Sequence, residues 1–415
     1  MADLVAIGQR MTYRRHRVGE RARFDFFLVG LGSCVLLITP ASGEKRPDCT
    51  PDKTFAEIGM LLLKQDNVDA KRQLRGLEAC SRLSPIQRFN VGWLYGKAHD
   101  SADALRIFKS VQGDVPDRLT HGYALALASF EIGQYQEAID TLTALRSEGV
   151  FDAKCADLLG VSYSKLDKYQ DAYDVMAEDI RQNPSNPFGY FNLIALFVDT
   201  SEMDKAKEVA DKAIAAFPQS IEALSMRGSI ELFENQPDDA YRDFAGAAQL
   251  APKAPDPPFF MALVNYRQSK FDEAEKVLKS AIAAGIADSD LHYLMAECLL
   301  RKDATATTPV LTELNEAITL DPRSVPARIL RGSTLLEAGR AREALVDLRI
   351  ARKLDPTPRR DTRNTTYLLG RAYAALGERR NAKAQFAQVR QQLGNSKTDA
   401  LDQLSEQKIK AALHP

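Results

Sequence analysis

The amino-acid sequence predicts an all-α fold, a solenoid of about ten antiparallel helix hairpins closed by a C-terminal capping helix. Three observations predict it. An alanine recurs every 34 residues, apolar residues recur at helical spacing in paired short stretches, and a proline follows several of the alanines at a fixed distance. A period of this length indicates one helical hairpin per repeat, each burying its apolar face against the next.

The periodic alanines mark the expected helix crossings, because a larger side chain there would push the two backbones apart. The series is Ala70, Ala104, Ala138, Ala172, Ala206, Ala240 and Ala274. The series then slips: Ala296 and Ala317 belong to a copy with two extra residues in the connection 302–309, Ala344 resumes the period, and four extra residues around 359–362 precede the copy that holds Ala382. Twelve residues before the alanine, a second small residue recurs, as at Gly92, Gly160 and Gly228.

The second copy shows how each repeat divides into two helices. Its apolar pattern predicts one helix over 89–97 and another over 102–110. Turn-like tripeptides such as 132–134 and 166–168 are expected between the helices of later copies. Pro184, Pro218 and Pro252 are expected to end the second helix of their copies, since proline disfavours helix in the residue before it.

These features resemble the tetratricopeptide repeat family over about residues 51–396, as ten copies. One copy has Gly160, Tyr163, Ala172 and Pro184 at the family's positions, and the next has Tyr190, Leu193, Phe197, Ala206 and Pro218. The resemblance implies a right-handed superhelix whose first helices line an inner groove. It also implies a scaffold that holds other proteins rather than one that performs chemistry.

The chain is expected to divide into four segments. Residues 1–43 are an export signal or an N-terminal membrane anchor, and 44–84 are a linker with a weak first repeat. Residues 85–396 form the repeat array. Residues 397–415 form the capping helix, with Leu401, Leu404, Ile409 and Leu413 available to cover the last hairpin.

The N-terminal segment joins an arginine-rich stretch, 10–23, to an apolar run, 24–39, and then to the small residues 41–43. This order is typical of a signal peptide. We therefore expect a protein that resembles the exported bacterial members of the family and that lies in the periplasm or cell envelope. Four alternatives stay open for this segment. It is cleaved near Ala41 or Gly43, it is retained as an inner-membrane anchor, it is lipidated at Cys34, or it is the apolar first helix of a cytosolic protein.

The remaining cysteines show no zinc-site spacing. In an oxidising compartment Cys49 and Cys80 are candidates for a disulfide that closes the N-terminal edge. Cys155 and Cys298 are expected to be small buried helix residues.

Two sets of side chains are candidates for partner binding. Aromatic residues at groove positions of the first helices are Phe89, Trp93, Tyr123, Phe191, Phe259, Tyr266, Tyr293 and Tyr367. Rings suit a bound peptide or helix because they offer contact area at little entropic cost, although they could instead pack against the neighbouring repeat. A patch for an anionic partner is Arg359, Arg360, Arg363, Arg371, Arg379 and Arg380, in a stretch, 347–390, with 11 bases and 4 acids. Solvated helix faces are the alternative for this patch.

The sequence gives no sign of an enzyme, a metal site or a cofactor. Its histidines, among them His99, His121 and His292, lie far apart and fit no catalytic spacing. The net charge of −1 argues against nucleic-acid binding. A Lys/Asn set that would clamp a C-terminal carboxylate is missing, since Asp157, Val161 and Phe191 occupy candidate positions. A scaffold is expected, and a binding module for a glycan or anionic polymer and a regulatory subunit of an enzyme are the alternatives.

Overall fold

A computed structural model describes residues 51–79, 83–115, 117–355 and 364–394. The described residues form 20 α-helices and no strand. They divide at Pro218 and Gln219 into two compact units, each a row of five helix hairpins. The predicted export segment 1–43, the predicted Cys49–Cys80 pair and the predicted capping helix 397–415 lie outside the described residues, and the superhelical handedness stays a prediction.

The N-terminal unit holds ten helices. They are α1 (Pro51–Leu63), α2 (Asn67–Glu78), α3 (Pro85–Lys97), α4 (Ser101–Ser110), α5 (Arg118–Glu131), α6 (Tyr135–Ser147), α7 (Ala153–Lys165), α8 (Tyr169–Gln182), α9 (Pro187–Asp199) and α10 (Met203–Ala216). The two helices of each hairpin pack together, and the second helices α2, α4, α6 and α8 each pack on the first helix of the following hairpin. The first copy, weak in sequence, is therefore a regular hairpin.

The C-terminal unit repeats this arrangement. Its helices are α11 (Ile221–Phe233), α12 (Pro237–Leu250), α13 (Asp256–Arg267), α14 (Phe271–Ala283), α15 (Ser289–Lys302), α16 (Thr307–Leu320), α17 (Val325–Glu337), α18 (Ala341–Leu354), α19 (Asn364–Ala375) and α20 (Arg379–Gly394). The two-residue insertion lies in the α15–α16 turn, as predicted. The helices before Pro184, Pro218 and Pro252 each end two residues earlier, which confirms their predicted role.

The periodic small residues lie where the helices of a hairpin cross. The alanines, including Ala317, Ala344 and Ala382, are at most 1% exposed. A Cβ atom on Gly92 would lie 2.5 Å from the Phe108 ring, and one on Gly160 would lie 2.9 Å from the Met176 side chain. Because no real Cβ contact is so short, the crossing leaves no room for a side chain at these glycines.

The turn inside most hairpins contains one residue in the left-handed region, at the same place in the 34-residue period. The non-glycine residues there are Gln65, His99, Asp167, Ser201, Asn235 and Ser269, with φ between 56° and 63°, and the glycines are Gly133, Gly339 and Gly377. The following N–H donates to a carbonyl five residues back, as from Asp100 to Tyr95 at 2.9 Å. This hydrogen bond ends the first helix and reverses the chain.

Candidate functional site

The exposed side chains of the first helices of the hairpins form one surface in each unit, called here the first-helix face. The eight predicted aromatic residues all lie on first helices, but three of them are buried. Phe89 and Trp93 pack against Phe108, with ring centroids 5.2 and 5.9 Å away, and Phe89 also lies 5.8 Å from the His121 ring. These rings hold α3 to α4 and α5, so little of either side chain is left for a partner.

Phe259 is the third buried ring. Its centroid lies 5.3 Å from that of Phe260, which in turn stacks on Phe244 at 5.0 Å. The three rings join α13 to α12 within the C-terminal unit. Packing against the neighbouring repeat is the alternative stated for the aromatic set. It describes Phe89, which meets His121 of the next repeat, and Phe259, which joins the preceding repeat through Phe260. Trp93 packs against Phe108 of its own repeat.

The other five predicted rings are partly exposed. Of the helices that carry them, α9 presents the most apolar surface. Phe191 lies beside Phe188, with ring centroids 6.3 Å apart, and Phe188 is 45% exposed. Val198 continues this surface at the end of α9 with 37% exposure. Sequence reasoning missed Phe188, although it occupies a groove position one helical turn before Phe191. Tyr123 is partly exposed on α5, another first helix of the same unit.

A hydrogen-bond network fixes the start of α9 and so the position of these phenylalanines. The buried Asp179 carboxylate accepts hydrogen bonds from the amides of Asn183, at 2.8 Å, and Asn186, at 2.9 Å. Asn192 on α9 donates to Asp157 on α7 at 3.0 Å. Partly buried amide and carboxylate groups paired in this way restrict the movement of the helix they join.

In the C-terminal unit two of the three partly exposed rings, Tyr266 and Tyr293, belong to a polar cluster. The hydroxyls of Tyr266 and Tyr293 each donate to the Glu297 carboxylate at 3.0 Å. Arg301 donates to the Tyr266 hydroxyl at 3.0 Å, and its guanidinium carbon lies 5.9 Å from the Tyr266 ring centroid. Burial and the Glu297 charge raise the pKa of Tyr266 to about 12. The phenol therefore stays protonated at neutral pH, and both rings are held in place.

Tyr367 and the predicted arginine patch lie near the end of the C-terminal unit. Tyr367 is partly exposed on α19, with its ring 6.0 Å from that of Phe386. Arg371, also on α19, pairs with Glu337 at 2.8 Å. Arg379 and Arg380 are exposed at the start of α20. Arg359, Arg360 and Arg363 lie outside the described residues, so the structure places half of the patch and divides it between two helices.

The described histidines and cysteines occupy structural positions. His121 is buried with Nε2 2.9 Å from the Phe108 carbonyl oxygen, and Nδ1 of His292 lies 2.8 Å from Glu313. Cys155 and Cys298 are buried, as predicted, and burial raises the pKa of each thiol to about 12. Both are therefore protonated at neutral pH, the state in which a cysteine is a poor nucleophile.

The described residues contain neither a metal-binding cluster nor a membrane-spanning helix. No cluster of three or more histidine, cysteine, aspartate or glutamate side chains in this part of the chain is arranged to hold a metal ion. Within the same residues, no helix combines the length and the apolar character needed to cross a membrane. The predicted anchor run, 24–39, is outside that range.

Comparison with known proteins bears on the fold. The chain is 24% identical over 174 residues to a TPR repeat-containing protein of Methanocaldococcus jannaschii, covering 41% of this chain and 30% of the relative. It is 23% identical over 161 residues to Hsp70-Hsp90 organizing protein 2 of Arabidopsis thaliana, covering 38% of this chain and 27% of that protein. The chain thus spans less than a third of these curated relatives.

A solved tetratricopeptide repeat protein from Parabacteroides merdae shares 18% identity and a TM-score of 0.46, over 61% of this chain and 97% of that chain. Family models described as tetratricopeptide repeat match residues 91–150 and 366–396, one in each structural unit. Both matches coincide with hairpins of the 34-residue period, with its small crossing residues and left-handed turns. The chain therefore contains tetratricopeptide repeats in both units, as its sequence predicts.

Proposed function

We propose that this protein is a non-enzymatic scaffold that holds a peptide or helix of a partner protein on the first-helix face of its N-terminal unit. Tetratricopeptide folds serve as protein-interaction scaffolds, and the proposal adds the place of binding. The observation that carries it is the apolar surface of α9, where Phe188, Phe191 and Val198 are exposed or partly exposed on a helix held by partly buried hydrogen bonds. A rigid aromatic surface loses little entropy when a partner binds.

The test compares partner capture by the wild-type chain with capture by two variants. Phe188→Ala with Phe191→Ala removes the proposed contact. Tyr169→Ala with Tyr173→Ala is the matched control, since these two rings are 39% and 40% exposed on α8, a second helix of the same unit. Each variant is first checked for helix content and melting temperature.

A partner crosslinked in cells by the wild type and the tyrosine control, and lost from the phenylalanine variant, would support the proposal. The identified partner is then cut into synthetic peptides to find the bound segment, whose affinity should fall tenfold or more with the phenylalanine variant. Equal capture by all three proteins would exclude the α9 surface as the site.

We also propose that the protein works in the cell envelope. The support is the order of arginine-rich, apolar and small-residue stretches in 1–43. Fractionation of cells that produce the full chain, beside cells that produce the chain without residues 1–43, tests this. The full chain should appear in periplasmic or membrane fractions and the shortened chain in the cytoplasm. The same distribution for both would contradict export.

A second candidate is binding of a glycan strand or anionic polymer, favoured by the 11 bases and 4 acids in 347–390 and by the exposure of Arg379 and Arg380. Binding of a soluble polyanion that weakens with added salt and with Arg379→Glu plus Arg380→Glu would support it. Polyanion binding unchanged by these substitutions would exclude this patch.

A further inference from the structure

The second helices of the C-terminal unit carry a cleft that the first-helix face does not include. The cleft lies between α18 and the turn that joins α19 to α20, and its volume is about 530 Å³. Leu345, Val346 and Ile350 of α18 and Leu376 of the turn give it an apolar floor. Val346 is 59% exposed, although a valine of this kind is usually buried. The floor is therefore a surface on which a partner would bury apolar area.

Two arginines border this floor. Arg342, Leu345, Val346 and Arg349 have the spacing i, i+3, i+4 and i+7, which places them on one face of α18 with the charges at the two ends. Seven residues of α-helix correspond to about 10.5 Å along the axis. The cleft thus presents two cations, separated by about two helical turns, with aliphatic side chains between them.

Neither cation is neutralised by a carboxylate among the described residues. Arg342 forms no ion pair there, and Arg349 is held against Tyr373 instead. Its Nε and Nη2 donate to the Tyr373 hydroxyl at 3.2 and 3.1 Å, and its guanidinium carbon lies 5.6 Å from the ring centroid. Glu343, adjacent to Arg342 in sequence, pairs with Arg340 at 2.7 Å.

The cleft lining also includes one acidic side chain beside the two arginines. Glu378 accepts a hydrogen bond from Asn381 at 2.6 Å. The helix that follows it, α20, begins with Arg379 and Arg380 and contains no acidic residue. The electrostatic field at the cleft therefore favours an anionic ligand.

We propose that this cleft binds an acidic amphipathic helix of a partner protein. Two carboxylates seven residues apart on that helix pair with Arg342 and Arg349, and two apolar side chains between them cover Val346. A polyanion would leave the apolar floor uncovered, and a flat lipid surface would not enter a concave cleft. The helix alone among these ligands matches both the charge spacing and the apolar floor. This site is independent of the proposed contact on α9.

The probe is a fluorescent synthetic peptide with the pattern Glu-Xaa-Xaa-Leu-Leu-Xaa-Xaa-Glu in a helix-forming sequence, titrated with the full-length chain. Two further peptides replace both glutamates with lysine or both leucines with serine. The wild type should bind the first peptide and bind each of the others at least tenfold more weakly. Binding should also weaken with added salt, because exposed ion pairs are screened.

The variant Arg342→Glu with Arg349→Glu should lose tenfold or more in affinity for the first peptide, and Val346→Ser should lose severalfold. All three substituted side chains are at the surface of α18, so the fold is expected to persist and is checked by melting. Arg323→Glu with Lys353→Glu is the matched control, since it makes the same change in net charge with exposed residues outside the cleft.

Retained affinity in the control and lost affinity in the cleft variants would support the proposal. Equal loss in the control would overturn it in favour of a general charge effect. Equal binding of the serine peptide would overturn the apolar contact, and stronger binding to anionic phosphatidylserine vesicles than to the peptide would assign the surface to membranes. Phe188→Ala with Phe191→Ala should leave peptide affinity unchanged, so failure here is distinct from failure of the α9 site.

Discussion

The two units fill the same place in the repeat with different chemistry. In the N-terminal unit, Leu159 of α7 and Val175 of α8 are buried in one apolar cluster. Two periods further along the chain, α11 and α12 have Arg227 and Asp243 at these positions, joined by two hydrogen bonds of 2.7 and 2.8 Å.

Arg331 and Asp347 repeat this ion pair between α17 and α18, at 2.6 and 2.7 Å, and Arg328 adds a contact of 3.1 Å to the buried Asp347. The 34-residue period therefore determines the helices and their closest crossing. It does not determine the chemistry of the contact beside that crossing. An apolar pair and a hydrogen-bonded ion pair serve there equally, because desolvation offsets most of what the charges gain from each other.

The largest expected loss of stability comes from removing one partner of a buried ion pair while the other partner stays. Asp347→Val would leave Arg328 and Arg331 largely buried without their counter-charge, which costs about 3–5 kcal/mol in comparable pairs. Urea denaturation should show this loss, and hydrogen exchange should localise it to α17 and α18. The control Asp239→Val removes an exposed pair with Arg242, and its effect should stay below about 1 kcal/mol. Equal effects would mean that burial does not distinguish the two pairs.

The next largest loss of stability is expected at the crossing glycines, which both units share. Gly92→Ala in the N-terminal unit and Gly370→Ala in the C-terminal unit each place a methyl group 2.5 Å from a buried phenylalanine ring. Overpacking of this kind costs about 1–3 kcal/mol, and thermal unfolding should show it for both variants. The control Gly246→Ala meets no atom closer than 3.5 Å inside α12, so it should stabilise by about 0.5–1 kcal/mol. A neutral result at Gly92 or Gly370 would contradict the assigned crossing points.

A smaller gain is expected at the turns inside the hairpins. Ser201→Gly in the N-terminal unit and Ser269→Gly in the C-terminal unit replace residues with φ of 63° and 60°. Relief of left-handed strain, less the added entropy of the unfolded chain, should stabilise each variant by about 0.5–1 kcal/mol in urea denaturation. Gly133→Ser, the reverse change at the same repeat position, should destabilise by a similar amount. A loss of stability in the glycine variants would show that the serine side chains contribute more than the backbone strain costs.

The smallest change is expected from exchanging the chemistry of the two units. Glu231 is also buried, with a carboxylate oxygen 3.9 Å from Arg227. Arg227→Leu, Glu231→Tyr and Asp243→Val together give the C-terminal hairpin the residues of its N-terminal counterpart, which are Leu159, Tyr163 and Val175. The free energy of unfolding should then change by less than about 1 kcal/mol. Asp243→Val alone should cost several times more, because Arg227 then keeps only the more distant Glu231 carboxylate. A triple variant as unstable as the single one would show that these positions are not equivalent between the units.

Much of the fold was accessible from the sequence, and the candidate site only in part. The period located the hairpins, the buried alanines, the crossing glycines and the turns, since all of these lie within about 34 residues of one another. The groove position shared by Phe89, Phe191, Phe259 and Tyr293 showed the limit. Phe89 and Phe259 are buried there, whereas Phe191 and Tyr293 are partly exposed. Phe89 packs on Phe108 of its own hairpin and on His121 of the next. The exposure of a ring therefore depends on the side chains of both hairpins that meet there, and its place in the period does not determine it.

The order of residues alone is therefore enough to predict a row of helix hairpins with small residues at the crossings and turns between the helices. Helical periodicity, small side chains and turn residues act over short stretches of chain, and they are visible in the order of residues. Only the tertiary structure decided which aromatic side chains support the core and which face solvent. It also brought Tyr266 of one hairpin to Glu297 and Arg301 of the next, and Arg342 and Arg349 to the cleft beside the next hairpin. These contacts depend on how separate hairpins pack, and the repeat pattern of a single hairpin does not specify that packing.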